Sequence, residues 1–161
     1  MFKVFFFILI FISNAYSNNS VVAIDINYIL KNSNQGKQLF SILDKEETKQ
    51  INDLNGEYQI LKDKELSLIN KKDILDKDIF EKEITKLRND IKIYNDKKNE
   101  VIKDFNDLKN KKIQDLLIKI NKEVIEYSRN NDVLMVVDKK NIIMIKSDYD
   151  ITKKILIKFN E

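Results

Sequence analysis

The sequence predicts an α+β protein that is mostly helical, with a long antiparallel coiled-coil helical hairpin projecting from a small β body. The first observation is composition: the 161 residues include no proline and two glycines, while 34% are charged and 43% hydrophobic. This composition favours long uninterrupted helices over disorder. The second observation is the position of the predicted strands: short β-branched runs lie only near the two ends of the mature chain. The strands must therefore meet across the helical region.

Residues 1–17, MFKVFFFILIFISNAYS, have the pattern of a cleaved secretory signal. A single lysine precedes an unbroken apolar run at residues 4–12, and Ala15 and Ser17 are small residues at the positions that a signal peptidase reads. The alternative is a retained membrane anchor, but the run is much shorter than the roughly 20 residues that a bilayer core requires. We expect the segment to be removed, leaving Asn18 as the mature N-terminus and no stable membrane anchor.

Residues 21–26, VVAIDI, predict a buried strand, because β-branched residues follow one another between polar flanks. Asp25 is expected to accept a hydrogen bond from a nearby backbone N–H. Ser33 is placed to cap the next helix, since its hydroxyl can accept from a free backbone N–H of the first turn. Gly36, close to the helix start, is expected to permit a close backbone approach where subunits meet.

Residues 37–129 have the apolar spacing of two long helices packed along each other, and they form the predicted arm. A single helix of this length would extend about 140 Å, and the repeat loses its phase midway, so a turn is expected near residues 73–78. In the second helix, spacings of four and three residues alternate, which keeps one side against a partner helix in a left-handed supercoil. The residues of this repeat, with Lys98 at the one skipped position, are Phe80, Ile84, Leu87, Ile91, Tyr94, Val101, Phe105 and Leu108.

The C-terminal region predicts a β-hairpin followed by a short helix. Residues 133–137 and 142–145 are two apolar runs around a polar turn that begins at Asp138. Because consecutive positions are apolar, we expect both faces of these strands to be covered. Ser147 and Asp150 have the spacing of a capping box for the terminal helix. The first strand is then expected to pair with these last two.

The predicted β body, residues 18–36 and 130–161, is too small to be a self-sufficient core. Three short strands and one short helix bury little apolar surface, and small sheets seldom stand alone. We therefore expect an oligomer in which several subunits share one core. The residues expected there are Val22, Ile24, Gly36, Leu134, Val136, Ile143 and Ile145.

The composition argues against an enzyme and against nucleic-acid binding. The 29 basic and 26 acidic residues are interleaved and leave a net charge of +3, which gives no strong field for nucleic acid. The chain has no histidine and no cysteine, the side chains most used for metal binding and for general-base or nucleophilic catalysis. Gly36-Lys37 lacks the rest of a phosphate-binding loop. We expect no catalytic residue, cofactor or metal.

Two end motifs carry a resemblance to a known family. VAIDINYILKNSNQGKQL, residues 22–39, has a strand, a polar turn and a Ser-x-x-Gly-Lys helix start. LMVVDKKNIIMIKSDYDITKKIL, residues 134–156, has a strand, a turn, a strand and an Asp-Ile-Thr helix start. In this order, behind a signal segment and around a helical hairpin, they resemble the Skp/OmpH periplasmic chaperones of Gram-negative bacteria. The resemblance covers the whole mature chain.

The resemblance implies a homotrimer shaped like a jellyfish, with strands of three subunits in the body and three hairpin arms around a cavity. Family members hold unfolded outer-membrane β-barrel proteins there, without ATP, until these reach the outer-membrane insertion machinery. The family has also been linked to lipopolysaccharide through a basic patch on the arms, but this chain lacks that cluster at the matching positions. The sequence singles out no client-binding residues. The alternative function is a structural or adaptor coiled coil of the cell envelope, without a client cavity.

Overall fold

The computed structural model describes residues 20–161, so the predicted signal segment and mature N-terminus lie outside the described residues. The elements follow in the order β1 (Ser20–Ile24), α1 (Ile26–Asn32), α2 (Asn34–Asn70), α3 (Lys77–Asn130), β2 (Val133–Asp138) and α4 (Thr152–Phe159), with single 3₁₀ turns at Lys139–Asn141 and Ser147–Tyr149. The predicted fold class is confirmed in outline: a mostly helical chain with a long hairpin and a small β body.

The arm is the antiparallel pair of α2 and α3. With 37 and 54 residues, the two helices are about 55 Å and about 80 Å long. The turn between them occupies residues 71–76 and overlaps the expected position. The helix α3 is the longer because its last turns continue into the body, where Leu116, Ile120 and Val124 are buried.

The body is built on a parallel pairing of β1 with β2, in which Val22 lies opposite Val136 and Ile24 opposite Asp138. Parallel strands need a long crossover connection, and here the whole arm is that connection. Residues from β1, α1, the end of α3 and α4 form one apolar core, with Ile29, Ile120, Ile151 and Ile155 fully buried. The two ends of the chain are thus held together by burial rather than by sequence proximity.

The predicted β-hairpin is wrong for the single chain, because residues 142–145 form no strand. The Asp138 carboxylate accepts a hydrogen bond from the Lys140 backbone N–H at 3.1 Å, and a 3₁₀ turn then leads the chain away from β2. A strand needs a partner for its backbone groups, and within the described residues no segment of this chain supplies one here. Ile143 and Met144 are consequently fully exposed.

Two predicted helix caps are confirmed. The Asp25 carboxylate accepts from the Tyr28 backbone N–H at 2.8 Å and starts α1. The buried Ser33 hydroxyl accepts from the Gly36 backbone N–H at 3.1 Å and starts α2. Both caps satisfy backbone donors that a first helical turn leaves free.

The predicted capping box of α4 is wrong. Ser147 begins its own 3₁₀ turn, and the N-cap position of α4 is Ile151, which has no capping side chain. Asp150 instead accepts from the Thr152 backbone N–H at 3.0 Å. The backbone at Ala23 and Asp150 forms a bridge on β1, and this tertiary contact fixes where α4 begins.

Gly36 does permit a close backbone approach, and the neighbour is in the same chain. A Cβ at this position would overlap the Leu30 carbonyl oxygen and lie 2.8 Å from the Leu30 carbonyl carbon. The glycine therefore lets α2 turn tightly against the end of α1. A role for Gly36 at a contact between subunits stays a prediction.

Candidate functional site

The outer part of the arm, residues 55–104, contributes no buried side chain to the molecule. Nearer the body, Leu43, Leu54 and Phe105 are buried. The apolar stripe of the outer arm is half-buried at most, as at Leu61 and Leu87. The outer arm therefore leaves much of its apolar surface in contact with water.

Polar and aromatic contacts join the two helices in this outer part. The Lys64 ammonium lies 2.8 Å from the Asp90 carboxylate, Lys97 pairs with Glu57, and the rings of Tyr58 and Tyr94 have centroids 6.2 Å apart. The hydrogen bond from Lys64 holds the pKa of Asp90 below its usual value, so this pair is charged at neutral pH. Exposed ion pairs stabilise a fold by little, which leaves the outer arm weakly held.

An open groove follows one side of the arm between α2 and α3. Near the tip it has a volume of about 720 Å³, and it continues past Ile93 and Tyr94. A second stretch of about 740 Å³ lies near the body. Its apolar lining residues are Leu39, Ile42, Leu43, Ile60, Leu61, Leu68, Leu75, Ile79, Leu87, Ile93, Tyr94, Leu108, Leu116 and Ile118.

Five isoleucines of the groove share one side of the arm and are roughly half exposed. Ile42 and Ile60 are separated by about five helical turns, so both lie on the same side of α2. Ile79, Ile93 and Ile118 are likewise separated by nearly whole numbers of turns on α3. Their exposed fractions run from 47% for Ile79 to 67% for Ile118. We call these five residues the groove face.

The charged residues along the groove balance one another. Near the tip, three acidic and three basic side chains line it, and both helices contribute both signs. They are Asp63, Lys64, Lys71, Glu83, Lys86 and Asp90. The groove therefore presents apolar side chains between mixed charges, without a net field.

Three of the residues predicted for a shared core lie in the core of the single chain. Val22 and Ile24 are buried, with 4% and 2% of their surface exposed, and Val136 packs against them from β2. Whether this core is also shared between subunits stays a prediction.

Of the other four predicted body residues, Gly36 is buried at the start of α2, and the remaining three are partly or fully exposed in the single chain. Leu134 is 65% exposed, Ile143 is fully exposed and Ile145 is half-buried. Met135 and Met144 are also exposed, so exposed apolar side chains occur both on β2 and on the segment that follows it. We give the name body patch to Leu134, Met135, Ile143, Met144 and Ile145.

A polar network joins the two strands to α4. The Lys139 ammonium contacts the Asp150 carboxylate at 2.6 Å, and the Thr152 hydroxyl accepts from the Asp25 backbone N–H at 2.9 Å. Burial by itself raises the pKa of Asp150, but hydrogen bonds from Lys139 and Thr152 outweigh it and leave the pKa below its usual value. Asp150 is therefore ionised at neutral pH and holds Lys139, after β2, near the start of α4, while the Thr152 hydroxyl links α4 to Asp25 after β1.

Residues 20–161 contain no group of three or more acidic, histidine or cysteine side chains that could hold a metal ion. No helix in the same range is both long enough and apolar enough to span a bilayer.

The comparisons with known proteins agree with the fold. A comparison with curated proteins gives no significant match. The crystal structure of a protein assigned as an OmpH-like outer membrane chaperone from Caulobacter crescentus CB15 superposes with a TM-score of 0.81 at 16% identity, covering 87% of this chain and 83% of that one. The model of the family described as outer membrane protein (OmpH-like) matches residues 20–159, which is nearly all of the described chain. Because this match covers most of the chain, the chain belongs to the outer membrane protein (OmpH-like) family.

Proposed function

We propose that this protein is a periplasmic holdase that binds unfolded outer-membrane β-barrel proteins between the arms of a homotrimer and prevents their aggregation without ATP. The observation that carries the proposal is the outer arm, residues 55–104, which has no buried side chain but holds half-exposed isoleucines. Membership of an outer-membrane chaperone family supports the class of client.

The outer arm is suited to many weak contacts and unsuited to a specific pocket. Its groove is open, its charges are balanced and its apolar lining residues are distributed along both helices. Linked weak contacts act at high effective concentration, so they hold a client tightly while each contact remains replaceable. Such binding needs no nucleotide step, and release follows when the insertion machinery folds the client.

The body patch supports the oligomer. Two of its residues, Leu134 and Met135, belong to β2, and within the described residues the second edge of this strand has no partner strand. An exposed strand edge with apolar side chains is a template for pairing with another chain. A single arm encloses no volume, whereas three arms around one body would enclose a cavity from which other unfolded chains are excluded.

The experiment that tests this function compares intact and short-armed protein. Deleting residues 57–70 and 84–97 removes two heptads from each helix, keeps the helical phase and leaves the turn in place. A urea-unfolded β-barrel protein is diluted into buffer with either version, without ATP, and light scattering is recorded.

We expect the intact protein to suppress scattering and the short-armed protein to fail, while sedimentation shows the same oligomer for both. Equal protection by both versions would reject the cavity between the arms and favour the structural coiled coil. Absence of protection by the intact protein would reject the holdase function itself.

A further inference from the structure

We propose that the groove face is the surface of the arm that contacts the client, and that its occupant is an extended segment of unfolded polypeptide. Two separate apolar patches take the apolar side chains of this segment. The tip patch is Ile60, Ile79 and Ile93, and the base patch is Ile42 and Ile118. This inference depends on the proposed function and goes beyond it by assigning the residues that bind.

The side of the arm that carries the groove differs from the opposite side in shape, and not in how exposed its isoleucines are. Ile51, Ile69 and Ile102 are 50%, 59% and 46% exposed, close to the values of the tip patch. Each is about two and a half turns from Ile60 or Ile93, and so lies on the opposite side of its helix. None of the three lines the groove. A client side chain placed in the groove contacts two helices at once and loses more water-exposed surface there.

The gap between the two patches indicates what occupies the groove. Between Ile42 and Ile60, the same side of α2 carries Lys49, Asp53 and Gly56, over about 27 Å. A helix from a second copy would need an apolar stripe that continues at every turn. An extended chain of about eight residues spans the same length and needs apolar contacts only at its ends.

The charges along the groove also favour a polypeptide of mixed composition. An anionic membrane or a nucleic acid would require a net positive surface. Here Lys64 and Asp63 from α2 face Lys86 and Asp90 from α3, so a client residue of either sign meets an opposite charge. Selection then depends on apolar side chains, which an unfolded chain exposes and a folded one hides.

The test uses two matched triple variants of the full chain. The groove variant carries Ile60→Gln, Ile79→Gln and Ile93→Gln, and the control carries Ile51→Gln, Ile69→Gln and Ile102→Gln. Glutamine has a helix propensity close to that of isoleucine, and the two sets have similar exposure. Far-UV circular dichroism and sedimentation establish that both keep the helicity and the oligomer of the unmodified protein.

The readout is the chaperone concentration that halves light scattering by a diluted, urea-unfolded β-barrel protein. We expect the groove variant to need about tenfold more protein, because three apolar contacts on each arm are lost, and the control to need about the same as the unmodified chain. Equal effects of the two variants, or no effect of the groove variant, overturn the inference while leaving the holdase function intact. If the unmodified chain does not suppress light scattering, both the holdase function and this inference are rejected.

A second measurement locates the client directly. The chain has no cysteine, so Ile93→Cys and Ile102→Cys each allow one polarity-sensitive fluorophore to be attached. Added unfolded client should shift the emission of the label at Ile93 to the blue and leave the label at Ile102 unchanged. The reverse pattern, or an equal shift at both, overturns the inference. A blue shift at Ile93 that rises with protein concentration in the absence of client would identify a second copy as the occupant, and would also overturn it.

Discussion

Replacement of Gly36 by alanine tests whether the elbow between α1 and α2 sets the stability of the body. The new Cβ would overlap the Leu30 carbonyl oxygen and lie 2.9 Å from the Ser33 hydroxyl that caps α2. Since the neighbour is backbone, α1 and α2 have to move apart. Overpacking costs about 1–3 kcal/mol, more where the backbone shifts, and loss of the cap adds about 1 kcal/mol. We expect Gly36→Ala to lower the free energy of unfolding by about 3 kcal/mol.

Gly56 is the matched control within the same helix. A Cβ there has no neighbour within 4 Å, and alanine is favoured over glycine in a helix interior by about 1 kcal/mol. Gly56→Ala should therefore raise the free energy of unfolding, so the same substitution has opposite signs at the two sites. Urea unfolding followed by circular dichroism, at one protein concentration, measures both. A Gly36→Ala variant as stable as the unmodified protein would refute the reasoning.

Four further substitutions distinguish the body from the arm. Leu134→Lys should weaken self-association in sedimentation with little loss of helicity, whereas Val136→Lys should unfold the body by several kcal/mol, because its charge enters the core; a folded Val136→Lys variant would contradict this. The pKa of Asp150 is lower in the folded protein than in the unfolded chain, where it is about 4. The Asp150 carboxylate therefore stabilises the fold at pH values above about 4, and this contribution is lost as the pH falls through the lower pKa of the folded state. Asp150→Asn should thus lower the free energy of unfolding at pH 7 by about 1 kcal/mol in urea unfolding, and this free energy should depend less on pH below about pH 4. An unchanged pH dependence would show that the Asp150 carboxylate does not stabilise the fold. Lys97→Ala should leave protection from aggregation within about twofold, because an exposed ion pair contributes little, and a large loss would indicate a specific site.

The groove face is not predicted by a single apolar repeat. The repeat through Phe80 to Leu108 predicts residues that face the partner helix, and Leu87, Tyr94 and Leu108 of that repeat also line the groove. Ile79 and Ile93 each come one residue before a position of the repeat and are out of phase with it. Ile42, Ile51, Ile60 and Ile69 are regularly spaced along α2, but successive members lie on opposite sides of the helix. Only the position of the second helix decides which of those sides is concave.

The sequence by itself determined the features that depend on neighbours along the chain. The long helices follow from the absence of proline and from the apolar repeat, and the turn follows from the loss of phase. The caps at Asp25 and Ser33 follow from side chains that accept from backbone N–H groups three residues away. The end motifs determined the family, because their order and separation are properties of the sequence. Local hydrogen bonding and helical periodicity are encoded within a few turns.

Only the tertiary structure decided what depends on distant partners. An apolar run predicts a strand, but it carries no information on which backbone pairs with it, so residues 133–137 became a strand beside β1 and residues 142–145 did not. The same limit applies to α4, whose start is fixed by the bridge between Ala23 and Asp150. The close contact of Gly36 with Leu30 is local, but it depends on the angle between α1 and α2, which only the structure supplies. Strand pairing is satisfied across more than a hundred residues of intervening chain, and which partner satisfies it is settled only when the two ends of the chain meet.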